Sequence, residues 1–599
     1  MTSPHAEYTA RLEARQVRVV EAQSRAERIV RFRLILWLVA GLAIWFLRGR
    51  VHAGILLGLP VALFVGLVVA HVRTRRALAR AERAAAYYAR GLRRLAGHFA
   101  GVGETGAEWL DDAHPYANHL DIFGVGSLYE LLCGARTAAG RRTLADWLLQ
   151  PAEPEEILAR QEGVGELRDR IDFREDLAVL DDEIVEALGA DDLVAWATAP
   201  SPLPTGAARI AALVLAGATL AAAIASIWLG PPPLVWVLLA NFVFWLPLRK
   251  RVQAVIEGVE RPAPSFRQIQ RALERIEREA FHTERTGRID SALGSHDPPA
   301  SVVINGLLKR VDALEARENM MFAPISLALL WGTNCSFAIE RWRAEHGSKV
   351  GGWIAAVGEL EALLDLSTLA YEHPEYAFPT VTRGEPRVRA EGMAHPLLLQ
   401  CTPNDVAVGG SAAIPEGTER HPDMLVVTGS NMSGKSTLLR TVGVNVVLAQ
   451  AGAPVRASSM DMSPVAIGAS IRTLDSLLDG ASRFYAEIHA IKRAVDQAEN
   501  SPPGLFLLDE LLHGTNSEDR RIGAEAVVRA FLDRGAIGII TTHDLALAAI
   551  ADGVGPRARN AHFEFALDEG EIRFDYTLHP GTVKAGNALA IMRAAGLDV

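Results

Sequence analysis

Cysteine is scarce in this chain. Its 599 residues hold three, Cys133, Cys335 and Cys401, far apart and without a C-x-x-C pair. That excludes a disulfide framework and a zinc knuckle, and it fits a reducing compartment. An excess of positive charge is also missing. Lys plus Arg is 61 and Asp plus Glu is 71, for a net charge of −10. A chain that coats nucleic acid is ordinarily basic, at least in its binding domain, so the overall balance argues against that role and leaves room only for a local basic patch. No secretory signal is expected. The chain begins as a charged helix, with Arg11, Arg15, Arg18, Arg25 and Arg28 beside Glu13, Glu21 and Glu27, where a leader would place its apolar stretch. What is abundant is apolar: 49% hydrophobic against 22% charged residues excludes a disordered or collagen-like chain. At roughly 150 residues per domain, the length suggests about four domains.

The apolar residues are concentrated in four segments that form two pairs. Residues 34–47 and 53–70 flank Arg48-Gly49-Arg50-Val51-His52, and residues 210–229 and 234–248 flank Gly230-Pro231-Pro232-Pro233. A spanning helix wants about 20 apolar residues, with about 17 as a minimum. Residues 53–70 and 210–229 meet that length; residues 34–47 and 234–248 are short and need snorkelling flanks or a thinned bilayer. A lone short segment would read as a buried core helix, but two pairs with tight turns predict two transmembrane helical hairpins. Arg25, Arg28, Arg31 and Arg33 precede the first, Arg73, Arg75, Arg76 and Arg80 follow it, and Arg249, Lys250 and Arg251 close the second. Positive flanks of this kind put both termini and the large domains on the cytoplasmic side of the cell membrane.

The remaining chain divides by texture. Residues 1–112 read as an N-terminal helix and the first hairpin, with residues 72–112 as an arginine-rich helix. Residues 113–205 are helical, 206–251 carry the second hairpin, and 252–390 read as further helices, including a buried one over 325–339. From 391 to 599 short β-like runs alternate with Gly-rich turns, the pattern of a parallel sheet with crossover helices.

Chemistry is concentrated in that last part. Gly429-Ser430-Asn431-Met432-Ser433-Gly434-Lys435-Ser436 satisfies G-x-x-x-x-G-K-[ST], after the strand-like run 424–428 and before a helix opening at Thr437. The glycines turn backbone N–H groups towards phosphates, Lys435 neutralises the β- and γ-phosphates, and Ser436 ligates Mg²⁺. Leu505-Phe506-Leu507-Leu508-Asp509-Glu510 is a buried strand ending in two acids. Asp509 is expected to hold Mg²⁺ through water, and Glu510 to polarise the attacking water. A third strand, 537–542, ends at His543, which is suited to the γ-phosphate or the lytic water. Ser482 opens a helical pattern, and spacing alone favours a helix cap there.

Thr428 to Thr437 resembles the phosphate loop of MutS-family ATPases, TGPNMxGKST, with Ser430 in place of the proline. Asp509-Glu510-Leu511 with Gly514-Thr515 resembles the family's DELGRGT run, with Leu512 and His513 at its central glycine and arginine. Thr542-His543 resembles its TH switch, and Gly480-Ala481-Ser482-x-Phe484-x-x-Glu487 its GxSxFxxE signature. The resemblance reaches upstream over residues 126–151, 359–379 and His395-Pro396-Leu397. It implies an α/β P-loop ATPase domain after an all-α core and lever region, ATP with Mg²⁺, and a homodimer in which Ser482 contacts the γ-phosphate held by the opposite subunit. Mismatch recognition does not carry over, because residues 1–115 hold no F-x-E motif and a hairpin stands there instead; a second hairpin falls about where the family inserts its DNA clamp, and no long extension is expected after Leu597.

Three functions follow from these residues. The first is a membrane-anchored ATPase whose dimer closure moves the lever helices and, through them, the hairpins or a protein partner. The second is a membrane-tethered DNA-binding protein, acting on mismatched or branched DNA; Arg73, Arg75, Arg76, Arg80, Arg83, Arg90, Arg93 and Arg94 suit phosphates of either DNA or lipid. The third is a transporter ATPase, which the lack of an intramembrane charge disfavours.

Overall fold

The computed structural model describes the chain except residues 1–2, 48–52, 181–188, 205, 295–297, 321, 411–420, 431, 472–487, 490, 493–501, 513–516, 569–570 and 583–599. Two long helices come first, α1 (Pro4–Leu47) and α2 (Ala53–Leu95). Ring contacts of Tyr8 with Tyr88 and of Trp37 with Phe64, at 5.5 and 5.6 Å, set them antiparallel. Each helix changes character along its length. The apolar halves expose Leu34, Trp37, Leu38, Leu42, Val61 and Leu63. The charged halves also reach protein, Arg11 and Arg15 of the first helix donating to Asp172 and Glu175.

The arginine-rich helix expected to reach residue 112 stops at Leu95. Gly97, Gly101 and Gly106 follow with φ of +72°, +74° and +65°, and a chain turning left-handed at three glycines cannot continue a helix. Several of its arginines also serve the protein itself. Arg80 pairs with Asp176 at 2.9 Å, Arg83 Nε donates to the Val179 carbonyl at 3.0 Å, and Arg94 donates twice to Glu372 at 2.5 and 3.0 Å.

The helical region continues through α3 (Leu128–Leu132), α4 (Ala138–Leu149), α5 (Pro154–Leu167), α6 (Ile171–Ala178) and α7 (Ala190–Thr198). Helices α8 (Ala207–Leu229) and α9 (Pro232–Glu260) form the second hairpin, and both are long and apolar enough to cross a membrane. Their outward surface is bare hydrophobe, with Trp228 84% and Trp236 69% exposed near the turn. Among buried polar groups of the pair, Asn241 Nδ2 donates to Thr219 Oγ1 at 2.9 Å and to the Ala328 carbonyl at 2.8 Å.

Helices α10 (Ala263–Ile276), α11 (Glu284–Ala292), α12 (Ala300–Glu315) and α13 (Ala323–Ala328) lead to α14 (Trp331–Glu372). The helix expected over 325–339 is broken: Leu330 adopts φ +50° between α13 and α14. At 1.5 Å per residue, the 42 residues of α14 run about 63 Å. It is wrapped by α4, α5, α7, α11 and α12 and is therefore buried on several faces.

After α14 the chain becomes α/β. A small sheet has the order β1 (Thr380–Val381), β5 (Ser459–Met462), β2 (Arg387–Met393), β3 (Asn404–Gly409). The larger sheet has the order β10 (Glu571–Pro580), β9 (Ala558–Asp568), β4 (Met424–Thr428), β8 (Ile537–Thr542), β7 (Gly504–Asp509), β6 (Ala466–Ser470). All its pairings are parallel except β9 with β10. Helices α15 (Lys435–Ala451), α16 (Ser517–Asp533) and α17 (Leu545–Val554) complete the domain. Strand β7 shows why its residues read as a continuous apolar run. Leu505 and Leu507 pack into a core shared with α15 and α14, while Phe506 and Leu508 pack into a second core with α16 and α17. A parallel strand covered on both faces has no polar side to show.

Candidate functional site

The register of the large sheet gathers the sequence motifs. Thr428 pairs with Thr542 across β4 and β8, and Asp509 pairs with Thr541 across β7 and β8. The phosphate loop, the acid pair and His543 therefore all leave the same carboxyl edge, where open parallel sheets bind their ligands.

The loop between β4 and α15 is built by its glycines. Gly434 has φ +102°, and a Cβ there would lie 3.3 Å from the Tyr576 ring. A Cβ on Gly429 would lie 2.7 Å from Ser433 Oγ. Met432 also adopts a positive φ and is 88% exposed. Lys435 is buried and folds back on the loop, its Nζ donating to the Gly429 and Ser430 carbonyls at 2.9 and 2.8 Å. Burial pushes its ammonium below the ordinary range, and Glu510 and Asp509 oppose that shift. Ser430 Oγ and Ser433 Oγ are buried without a hydrogen-bond partner among the described residues. Buried hydroxyls of this kind are ordinarily paired, so the loop is a cradle with donors to spare. Thr437 stands in the first turn of α15, whose free N–H groups favour an anion.

The acids are held at the strand ends. Ser436 Oγ donates to Asp509 Oδ2 at 2.6 Å, and Thr541 Oγ1 donates to Asp509 Oδ1. A hydroxyl and a carboxylate so close offer two oxygens to one hard cation, and Mg²⁺ is commonly held by one or two protein oxygens plus phosphate and water. The donor set fits that ion. Glu510 adopts φ +49° and its N–H donates to the Thr541 carbonyl at 3.0 Å. Its Oε1 lies 3.1 Å from His543 Nδ1. Asn431 and Ser482 lie outside the described residues, as do His513, Gly514 and Thr515.

Gly434, Lys435, Ser436, Thr437, Asp509 and Glu510 line one cavity of about 1200 Å³, and His543 stands behind Glu510. Its other walls come from parts of the chain that no motif marked: the 398–404 segment, Arg456, Phe563 and Tyr576. Arg456 staples that segment, donating to the His395 carbonyl at 2.8 Å, to the Leu399 carbonyl at 3.2 Å, and to the Leu398 carbonyl. Burial, with Arg440 and Arg456 nearby, pushes the His395 imidazole down to about 4, so it is neutral and its Nδ1 accepts from the Leu397 N–H at 3.2 Å. Thr541 was also unmarked. Its only sequence signal is its place beside Thr542-His543.

Comparison with known proteins agrees with this geometry. Residues 425–598 match the family MutS domain V. The chain is 31% identical over 307 residues to DNA mismatch repair protein MutS 2 of Haloarcula marismortui, covering 48% of this chain and 31% of that protein. It is 34% identical over 249 residues to Endonuclease MutS2 of Thermomicrobium roseum, covering 40% and 29%. It is 32% identical over 250 residues to DNA mismatch repair protein MutS of Natronomonas pharaonis, covering 40% and 27%. The chain thus spans under a third of the length of these relatives. Its C-terminal α/β part, with the phosphate loop and the acid pair, is similar to the ATPase domain of MutS-family proteins.

Proposed function

We propose that this chain is a membrane-anchored, dimeric MutS-like ATPase that hydrolyses ATP with Mg²⁺ and passes the resulting motion along α14 to the hairpins. The observation that carries the reading is the convergence of Lys435, Ser436, Asp509, Glu510 and His543 at one sheet edge, in a domain continuous with a 42-residue helix. In this mechanism Lys435 leaves the Gly429 and Ser430 carbonyls and turns to the β- and γ-phosphates. That exchange costs little, because one set of oxygen acceptors replaces another. Bound Mg²⁺ supplies charge neutralisation on the phosphates, and Ser436 and Asp509 are the residues to hold it. Glu510 orients and deprotonates the attacking water, and His543 holds the Glu510 carboxylate in place and senses the γ-phosphate. Ser482 of a second copy completes the site on closure.

The membrane part of the reading rests on α8 and α9, with tryptophans near their turn as at a lipid interface, and on the exposed apolar halves of α1 and α2. The buried bond from Asn241 to the Ala328 carbonyl ties this hairpin to α13, next to the start of α14. At its other end α14 stops at Glu372, shortly before Ala377, which pairs with Val455 of the ATPase domain. Motion at the nucleotide site thus has a rigid element to follow.

A second reading keeps DNA as the partner, and the names of the relatives favour it. One experiment separates the two: ATP turnover by detergent-purified protein, alone and with duplex, branched or mismatched DNA, beside Lys435→Ala. Turnover lost in the variant and indifferent to every DNA supports the first reading. Turnover stimulated by DNA supports the second. No turnover in the wild type refutes both as they stand.

A further inference from the structure

Helix α13 is short, and its setting is not that of a wet surface. No charged residue stands between Glu318 and Glu340. Ile325 is 51% and Leu327 72% exposed, and Ala323 and Pro324 are exposed beside them. The helix is tied to both members of the second hairpin at one atom. Asn241 Nδ2 of α9 donates to the Ala328 carbonyl at 2.8 Å, and Thr219 Oγ1 of α8 reaches it at 3.4 Å.

These two partners fix the depth of the contact. Thr219 stands in the middle of the apolar run 210–229, and Asn241 is the central residue of 234–248. At about 1.5 Å per residue, Thr219 lies about 13–15 Å from the ends of its run and Asn241 about 10 Å from the ends of its own. The Ala328 carbonyl therefore meets both helices halfway along. If the hairpin spans a membrane, as proposed above, halfway along is the centre of a hydrocarbon core about 30 Å thick.

The backbone of 322–330 is served as lipid requires. In hydrocarbon each N–H and C=O needs a partner from the protein, because no water is there to supply one. The φ of +50° at Leu330 breaks the helical ladder, so the Ala328 and Leu329 carbonyls lose the N–H groups four residues on. Side-chain amides take both. Asn241 serves Ala328, and Asn334 Nδ2 donates to the Leu329 carbonyl at 3.2 Å. The Phe322, Ile325 and Leu327 carbonyls accept from the Ser326, Leu329 and Leu330 N–H groups at 2.8, 2.9 and 3.3 Å. On a wet surface water would satisfy the freed carbonyls, and two asparagines would not be needed. We propose that residues 322–330 enter the membrane beside the second hairpin as a re-entrant element, with lipid acyl chains covering their exposed side chains. This rests on the membrane reading of that hairpin. Helix α14 then begins within the bilayer, and its motion acts on lipid at its own root as well as through α9.

The test is the accessibility of a nitroxide label to oxygen and to a water-soluble nickel chelate, in the full chain in neutral-lipid nanodiscs with Cys335→Ser and Cys401→Ser. Labels are placed singly at Leu327→Cys, at Val243→Cys on the exposed side of α9, and at Ser348→Cys on the exposed side of α14. All three positions are exposed, so the replacements leave the packing intact. The expected result is that the labels at 327 and 243 favour oxygen over nickel and lie within about 5 Å of one depth, since each is one or two residues from the Asn241–Ala328 bond, while the label at 348 favours nickel. A nickel-accessible label at 327 beside a lipid-buried one at 243 overturns the proposal and leaves the membrane reading standing. A label at 327 closed to both reagents means that protein, such as a second copy, covers this face, and that also overturns it. A nickel-accessible label at 243 overturns the membrane reading itself, and the proposal falls with it. Because hydrolysis is not the readout, no outcome here bears on the ATPase reading.

Discussion

Replacing Glu510 by Gln separates binding from chemistry at the nucleotide site. The backbone there is held by the N–H bond to the Thr541 carbonyl and carries a left-handed φ of +49°, so a residue of the same shape keeps the turn. Gln retains an oxygen to meet His543 Nδ1, now 3.1 Å from Glu510 Oε1, but it accepts no proton from water. Loss of a positioned general base costs about 10²–10⁴-fold in rate. At 1.36 kcal/mol for each factor of ten, that is about 3–5 kcal/mol of transition-state stabilisation. Nothing in the phosphate loop changes, since Lys435, Ser436 and Asp509 keep their partners. The assay is single-turnover hydrolysis of radiolabelled ATP in detergent, with affinity measured by a fluorescent ATP analogue. The expected outcome is turnover down at least a hundredfold and affinity within threefold of wild type. Turnover within tenfold of wild type would refute the role given to Glu510 and move the base elsewhere.

Gly434→Ala forces a side chain onto φ +102° and into the Tyr576 ring, so nucleotide affinity should fall at least tenfold in the same binding assay while the helical region keeps its thermal transition. Arg94→Ala leaves Glu372 buried without its partner; removing one member of a buried pair costs about 3–5 kcal/mol, which denaturant titration should show as an earlier midpoint with an unchanged slope. Asp365→Asn should stabilise the fold increasingly as pH rises. The folded-state pKa of Asp365 is raised, so the wild type binds an extra proton when folded and loses stability from the unfolded value, about 3.9, upwards. A stability difference between variant and wild type that stays constant from pH 5 to pH 8 would contradict this account.

The parts that were legible in the sequence are those written locally. A strand, a Gly-rich loop and a helix are contiguous between Met424 and Ala451, so their chemistry could be read without the fold. The acids and His543 were readable because Asp509 ends the apolar run of β7, Glu510 follows it, and His543 follows β8 directly. Thr541 was not, since its bond to Asp509 depends on the register of β7 against β8. Arg456 and Tyr576 were hidden for the same reason: they reach the cavity from separate strands and turns. The length of α14 was hidden for a different one. A helix covered from several sides has no polar stripe, and the Leu330 kink that starts it leaves no mark in residue type. The arginines of α2 read as a surface for phosphates, whereas acids far along the chain claim Arg80 and Arg94.

The claim that nucleotide state is passed along α14 is tested most directly by a distance measurement. Ser348 is exposed on α14, and Cys335 and Cys401 can be replaced by serine while Cys133 stays buried. Spin labels on Ser348→Cys in two copies of the Glu510→Gln protein report the separation of the paired helices by pulsed electron resonance, in nanodiscs. The account predicts a distribution that shifts when Mg-ATP is added and does not shift when Lys435→Ala is also present. Identical distributions with and without Mg-ATP, in protein shown to bind the nucleotide, would contradict it.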